Sequence, residues 1–350
     1  MIEGHVHGWT SPSSVASFGA AALLVGAFIA WERHNPEPML DVAVFANMRF
    51  TAGSVTITFA FFALFGFIFV VTQYFQFVRG YGALEAGLRT VPFALFTAGA
   101  APFAARLAGR WGTKRVVAAG LASMAAGFAW TTTVGVDSTY WVIVGQMALM
   151  GGGLGLAQAP ATESIMGALP AERAGVGSAV NDTARELGGT LGVAVIGSVF
   201  ASIYASDLRD ALAAGTIPPE QIGIAQTSVG AGMGIADSVA ASIGPAAGAA
   251  VRSAVHESFL DGFHAGSWVS ATVVLIGAVI ALRHLPAHAT NAEVPDDDVN
   301  AGADQQSRPS GPVVQTEAAL PVRTLDAMSR RGRRRNEVFQ LRDAHEQCPT

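Results

Sequence analysis

Five amide and tyrosine side chains inside or beside the apolar segments are candidates to hydrogen-bond a small molecule. They are Gln73, Tyr74, Gln76, Gln146 and Gln158. The first three come at the end of a long apolar run. At that position they could bind a substrate, or they could simply lie at the headgroup level of a membrane, where tyrosine and amide groups are well accommodated. Gln146 and Gln158 are twelve positions apart, about 120° around a helix, so they do not share a face. We treat all five as substrate-cavity candidates. The alternatives are an interfacial belt for Gln73, Tyr74 and Gln76, and an inter-helix hydrogen bond for Gln158.

Charged side chains that could form a gate fall into two groups. The first is the connector RLAGRWGTKRV at 106–116, which holds four cations and no acid. Its cations are Arg106, Arg110, Lys114 and Arg115. The second group contains Glu163, Asp182, Arg185 and Glu186. Arg185 could pair with Glu163 or Asp182, although an exposed pair contributes only about 0–1 kcal/mol.

The sequence lacks the residue patterns expected for a disulfide, a metal site or an enzyme active site. Cys348 is the single cysteine, which excludes an intrachain disulfide, and the eight histidines show no HExxH spacing. A membrane-embedded enzyme would need a metal or nucleophile constellation inside the apolar segments, and His264 and His284 at their edges do not supply one. We therefore expect no enzyme, no metal site, no bound cofactor and no nucleic-acid partner.

The segments that must position these side chains are strongly apolar. Of 350 residues, 51% are hydrophobic and 13% are charged, against about 25% charged in a soluble domain. A spanning helix needs roughly 20 apolar residues. Backbone groups in lipid must be satisfied within the segment, and these runs do not alternate like barrel strands. The sequence therefore predicts an all-α polytopic membrane protein with about seven transmembrane helices, at 12–31, 50–72, 88–106, 115–135, 139–160, 187–206 and 265–283.

The cations indicate which side of the membrane each loop faces, because short cytoplasmic loops are enriched in Lys and Arg. With 107–114 inside, alternation also places Arg33, Arg49, Arg173 and Arg185 inside. The N-terminus is then outside and the C-terminus cytoplasmic, in the plasma membrane. The cations of the basic connector could thus serve only to hold this loop on the cytoplasmic side, which is the alternative to a gating role.

The chain divides at residue 285. Residues 1–285 are predicted as the transmembrane region, with an external loop of short surface helices at 207–264, where charged residues and a proline interrupt the apolar runs. Residues 286–350 are predicted as a disordered cytoplasmic tail, because they are polar and poor in hydrophobic residues.

Two pairs of glycines stand four residues apart inside predicted spans. Gly151 and Gly155 form the first pair, and Gly188 and Gly192 form the second. Small residues at this spacing let helix backbones approach closely in lipid. We expect both pairs to be helix-packing positions.

Several segments, in the right order, resemble known transporters. The connector at 106–115 resembles the Arg-x-Gly-x-Arg/Lys loop motif of the major facilitator superfamily. YFQFVRGYGALEAGLRTVP at 74–92 resembles the YLQ…G…AGL…LP region of its drug:proton antiporters with fourteen helices. GVGSAVNDTARELGGTLGVAVIGSVF at 175–200, after MGGGLGLAQAP at 150–160, is similar to the same group, as is WERHNPEPMLDVAVFANMRF at 31–50.

The resemblance covers about residues 8–285 and matches only the C-terminal half of those antiporters. It implies the C-terminal half of a major facilitator fold, which is part of a secondary active transporter for multidrug or small-molecule efflux. Export would proceed by alternating access and be driven by the proton gradient. The implied partners are the lipid bilayer, a small lipophilic substrate, and a separate N-terminal half or a second copy of the chain.

A different class of function stays open. None of the predicted spans contains a carboxylate away from its ends, and by the resemblance the coupling acids of the family stand largely on helices outside this sequence. The alternative is therefore a truncated, non-transporting membrane protein, which would be a remnant, a scaffold or a regulatory subunit.

Overall fold

We analysed a computed structural model of the chain, which describes residues 12–35, 42–213, 215 and 217–286. The regular structure of these residues is helical. The α-helices in chain order are α1 Pro12–His34, α2 Met48–Gln73, α3 Ala83–Trp111, α4 Thr113–Thr131, α5 Tyr140–Met166, α6 Ala174–Ala213, α7 Pro219–Thr227, α8 Val229–Ser242 and α9 Pro245–His284. A π-helical turn at Tyr74–Val78 extends α2. Residues 287–350 of the predicted tail, including Cys348, lie outside the described residues.

Six of the described helices are long and apolar enough to cross a membrane. They comprise α1, α2 with its π-helical turn, α3, α5, α6 and α9. The sequence predicts a seventh at 115–135, and the structure has α4 there. That helix is only 19 residues long and begins with Lys114 and Arg115 in its first turn, so its apolar part is too short. The all-α polytopic membrane fold is confirmed.

The long helices form one bundle with two exposed members. Helix α2 packs along α6, α5 lies between α3 and α4, and α9 contacts α2, α4 and α6. Side chains at these contacts are fully buried, including Ile57, Leu121, Met124, Met147, Met150 and Phe259. Helix α1 packs against the short 3₁₀ turn Val42–Ala46 and leaves almost all of its described side chains unburied. Helix α3 has one face on α5 and leaves most of its side chains exposed.

The region 207–264 is more helical than the sequence predicts. Helices α7 and α8 are the expected short helices, but residues 207–213 continue α6 and residues 245–264 begin α9. Each of these two helices has 40 residues, about 60 Å at 1.5 Å per residue, whereas the hydrocarbon core is about 30 Å thick. The charges that interrupt the apolar pattern therefore do not end these helices, which are longer than a membrane span requires.

The connection between α3 and α4 is a single residue. Gly112 has φ of 86°, a left-handed conformation that residues with a Cβ adopt only with strain. Its N–H donates to the carbonyl of Ala108 and closes α3. The basic connector is thus mostly helical, with Arg106 and Arg110 on α3 and Lys114 and Arg115 on α4.

Candidate functional site

A cavity of about 810 Å³ opens between α2, α3, α5 and α6. This volume lies within the range of roughly 300–1,000 Å³ that small-molecule pockets occupy. Most of its wall is apolar. We call it the apolar cavity, and its lining comprises Phe61, Leu64, Ile68, Phe93, Ala94, Thr97, Ala98, Ala101, Leu154, Gly155, Gln158, Ala159, Thr162, Glu163, Met166 and Arg185.

Small side chains create this space. Helix α3 contributes Ala94, Ala98 and Ala101 to the lining, which are spaced to share one helix face. At the back of the cavity α3 and α5 touch closely, since a Cβ on Gly155 would lie 2.9 Å from the Cβ of Ala100. The close contact holds the two helices together while the alanines leave the volume between them unfilled.

The helix-packing glycines lie where two backbones meet. A Cβ on Gly151 would lie 3.0 Å from the Thr97 hydroxyl on α3. On α6, Gly188 and Gly192 pack against the backbone of α2 at Thr58 and Phe62. Both predicted pairs therefore occupy contacts beside the apolar cavity, on α3–α5 and on α2–α6.

Arg185 is the cation of the apolar cavity. Its Cζ lies 5.3 Å from the centroid of the Phe61 ring, in cation–π range. Its Nη2 lies 3.5 Å from the Thr162 hydroxyl, and its Nε is buried without a hydrogen-bond partner. Arg185 forms no ion pair with any described carboxylate, so the predicted pair with Glu163 or Asp182 is not formed.

A short chain of polar groups orients the Arg185 side chain. The Thr162 hydroxyl donates to Oδ1 of Asn181 at 3.2 Å, which leaves its oxygen free to accept from Arg185. Asn181 is buried and stands one helical turn before Arg185 on α6. Sequence reasoning missed Thr162 and Asn181, although the i, i+4 spacing of Asn181 and Arg185 was a usable signal.

The two glutamines of α5 have different surroundings. Gln158 is half-buried and lines the apolar cavity. Gln146 is 1% exposed and donates from Nε2 to the carbonyl of Trp130 on α4, at 3.2 Å. The expected cavity role is therefore wrong for Gln146, because that side chain faces the α4–α5 contact and joins two helices.

Tyr74 and its neighbouring amides lie away from the apolar cavity. Tyr74 is 1% exposed, its hydroxyl donates to the carbonyl of Gly135 at 3.1 Å, and its ring stacks on Phe263. Gln73 donates to the carbonyl of Phe69 within its own helix, and Gln76 is half-buried in the π-helical turn. A π-turn adds a residue and changes which face the side chains occupy. The structure therefore does not place these three residues in the lining of the apolar cavity, and an outer-vestibule or interfacial role of the two amides stays a prediction.

The cations of the basic connector do not reach the apolar cavity. Arg106, Arg110 and Arg115 are exposed, Lys114 is half-buried, and none of the four forms an ion pair within the described part of the chain. The interaction of a cation with the helix dipole is favourable for Arg110, near the C-terminus of α3. It is unfavourable for Lys114 and Arg115, at the N-terminus of α4. Helix stability therefore does not account for this charge, and its gating role stays a prediction.

The carboxylates of the second charged group are exposed. Glu163 lines the apolar cavity but is open to solvent, while Asp182 and Glu186 are exposed on α6 and do not line the cavity. Within residues 12–35, 42–213, 215 and 217–286, no group of three or more His, Cys, Asp or Glu side chains has a metal-binding arrangement. What the site offers is one cation, one exposed carboxylate, three neutral polar groups and apolar walls.

Comparisons with known proteins agree with this architecture. A family model for the major facilitator superfamily matches residues 4–193. Multidrug resistance protein Stp of Mycobacterium tuberculosis is 34% identical over 221 residues, covering 63% of this chain and 41% of that protein. Multidrug efflux pump LfrA of Mycolicibacterium smegmatis is 30% identical over 235 residues, covering 67% of this chain and 46% of that protein. The chain thus spans slightly less than half of these two relatives.

A third relative is similar in length to this chain. It is a tetracycline resistance determinant of Streptomyces rimosus, 27% identical over 327 residues, which cover 86% of this chain and 91% of that protein.

Proposed function

Because the chain belongs to the major facilitator superfamily, we propose that it forms part of a secondary active transporter that exports small lipophilic molecules. The observation that carries this proposal is the apolar cavity, which has a drug-sized volume and few polar groups. The names of two relatives, a multidrug resistance protein and a multidrug efflux pump, support the same class of substrate.

We assign the chain to the drug:proton antiporters with fourteen helices, and to their C-terminal half, on the resemblance at 74–92 and 175–200. Major facilitator transporters are built from two halves related by an axis along the membrane normal, with the substrate site between them. The exposed face of α3 fits this arrangement, since Leu84 is 79% exposed and Leu88 62% exposed. A separate N-terminal half or a second copy of the chain would cover that face and close the cavity.

Alternating access requires the helices around the cavity to move as units. The glycine contacts of α5 with α3, and of α6 with α2, hold these pairs at short distance. Pro160 inside α5 removes one backbone hydrogen bond near the cavity. We propose that rocking of this half about its partner exposes the cavity to each side in turn, with the proton gradient as the driving force.

The orientation follows from the positive charges. We place the chain in the plasma membrane with the basic connector inside, the N-terminus outside and the C-terminus in the cytoplasm. Helices α7 and α8 are then external. The lipid bilayer is the partner of the remaining apolar surface, which includes the almost wholly exposed α1.

Accumulation of the neutral dye Nile red in an efflux-deficient bacterium tests this function. The chain is expressed alone and with an N-terminal half taken from the relative that is 34% identical. We expect protonophore-sensitive export with the partner half, and we expect Ala98→Trp, which fills the cavity, to abolish it. Leu275→Trp is the matched control, because Leu275 is 52% exposed on α9, does not line the cavity and lies outside the exposed face of α3.

Each result has a distinct meaning. Export by the chain alone would show that it works as a single unit or as a dimer. Absence of export under both conditions, with the protein inserted and stable, would contradict the transporter proposal and favour a non-transporting membrane protein. Export that Ala98→Trp leaves unchanged would contradict the assignment of the cavity as the substrate path.

A further inference from the structure

We propose that Arg185 makes the apolar cavity selective for aromatic molecules with an anionic oxygen, a carboxylate or a phenolate, over cations of the same shape. This inference rests on the proposed function, because it names the substrate class of the same cavity. Three observations carry it: the unpaired guanidinium, the aromatic wall beneath it, and the exposure of the nearest carboxylate of the lining.

The guanidinium of Arg185 has unused binding capacity. Its Nε is buried without a partner, its contact with the Thr162 hydroxyl is long at 3.5 Å, and no described carboxylate lies within 4 Å of it. Burying a charge is costly unless it is paired and hydrogen-bonded. An anionic oxygen in the cavity would accept from the guanidinium in a charge-assisted hydrogen bond, which is stronger than a neutral one.

The wall beside this cation is suited to an aromatic ring. The Phe61 ring lies under the guanidinium at 5.3 Å, and Phe93 on α3 lines the same cavity. Leu64 and Leu154 complete the apolar surface near these rings. A flat aromatic skeleton can therefore contact the phenylalanines while its acidic group reaches Arg185.

The remaining lining does not favour cations. Glu163 is its other charged side chain, and in the chain without a partner half that residue is exposed, so water and salt screen its attraction for a positive ligand. Gln158, Thr97 and Thr162 are neutral. A cationic ligand would meet the half-buried Arg185 as a like charge in surroundings of lower dielectric constant, where repulsion is stronger.

Direct binding of two dyes with the same xanthene skeleton tests this inference. The purified full chain in lipid nanodiscs is titrated with fluorescein, an anion, and with rhodamine 6G, a cation, and fluorescence polarisation is recorded. We expect tighter binding of fluorescein. Arg185→Gln should weaken fluorescein binding about 10-fold, the size of one lost charge-assisted hydrogen bond, and should leave rhodamine 6G binding unchanged or stronger.

Three further variants sharpen the test. Arg185→Lys keeps the charge and should retain part of the fluorescein preference. Glu163→Gln should change fluorescein binding much less than Arg185→Gln does, because water and salt screen the exposed carboxylate. Arg283→Gln is the matched control, since it removes an exposed cation outside the cavity and should change the binding of neither dye. Thermal unfolding of each variant establishes that it is folded.

The inference would be overturned by tighter binding of rhodamine 6G than of fluorescein. It would equally be overturned by an unchanged preference in Arg185→Gln, or by the absence of saturable fluorescein binding. This assay measures binding and the Nile red assay measures export. Failure of the present inference can therefore be distinguished from failure of the proposed function. Nile red export with equal binding of the two dyes would support the transporter alone, whereas an Arg185-dependent preference without export would support the binding site alone.

Discussion

The guanidinium of Arg185 on α6 lies over the ring of Phe61 on α2, with 5.3 Å between Cζ and the ring centroid. The contact joins the two helices at the edge of the apolar cavity. The spacing of these helices is set by glycine, because Gly188 and Gly192 pack against the α2 backbone. The position of the only cation in the lining therefore depends on two residues without side chains.

Substitution of Gly192 tests this dependence. In Gly192→Ala the new Cβ would lie 2.9 Å from the Cα of Phe62, so α2 and α6 must move apart. Overpacking of this kind costs about 1–3 kcal/mol, and we expect a lower midpoint of thermal unfolding in detergent. Gly175→Ala is the control on the same helix, because nothing lies within 4 Å of its Cβ position. Equal midpoints for the two variants would contradict the packing role.

The two glutamines of α5 should respond differently to alanine. Gln146 is buried and bonded to Trp130, so Gln146→Ala should lower the free energy of unfolding by about 1–3 kcal/mol, as core truncations do, and leave the Nile red affinity of the folded protein unchanged. Gln158→Ala should alter Nile red affinity and keep stability within about 0.5 kcal/mol. Denaturation curves and dye titration measure both. A stability loss only in Gln158→Ala would reverse our assignment.

Tyr74 should behave as a core residue. Tyr74→Phe removes the hydrogen bond to the Gly135 carbonyl but keeps the ring on Phe263, so we expect a loss of about 1 kcal/mol. Tyr74→Ala also removes the ring, and we expect a loss of about 3–5 kcal/mol. Nile red affinity of folded Tyr74→Phe should equal that of the wild type. A large change in affinity without a change in stability would show that Tyr74 contacts the substrate.

Neutralising the basic connector should disturb orientation. Replacement of Arg106, Arg110, Lys114 and Arg115 by glutamine removes the strongest topological signal within residues 1–285. The measurement uses Ser138→Cys in a Cys348→Ser background, with a membrane-impermeant maleimide added outside the cell. With the four cations present, every molecule should be labelled. With the four cations replaced, only part of the molecules should be labelled. An unchanged labelling pattern, with reduced dye export, would instead favour the gating role of these cations.

The long helices were predictable from the length and apolarity of their segments, because the backbone of such a segment in lipid must form its hydrogen bonds internally. The glycine contacts were predictable for a similar reason, since a small residue every four positions marks a close approach whatever the partner helix is. The sequence could not tell which face of α5 points to the cavity. Residues of α5 are apolar on every side, so periodicity does not separate the buried Gln146 from the cavity-lining Gln158.

Two other differences have local causes. The π-helical turn at Tyr74–Val78 changes the faces of the side chains that follow α2, and no residue of that segment signals it. In the region 207–264, the sequence predicts that charges such as Asp237 and Arg252 separate short surface helices. Asp237 lies inside α8 and Arg252 inside α9, because a charged side chain ends an apolar run without preventing a helix.

Ligand protection of a cysteine at position 158 tests most directly whether a ligand occupies the apolar cavity. In the Cys348→Ser background, Gln158→Cys is labelled with a maleimide with and without Nile red, beside Leu95→Cys as an exposed control on α3. We predict that Nile red slows labelling at position 158 and leaves labelling at position 95 unchanged. Saturable Nile red binding that protects neither position, or both equally, would contradict the account.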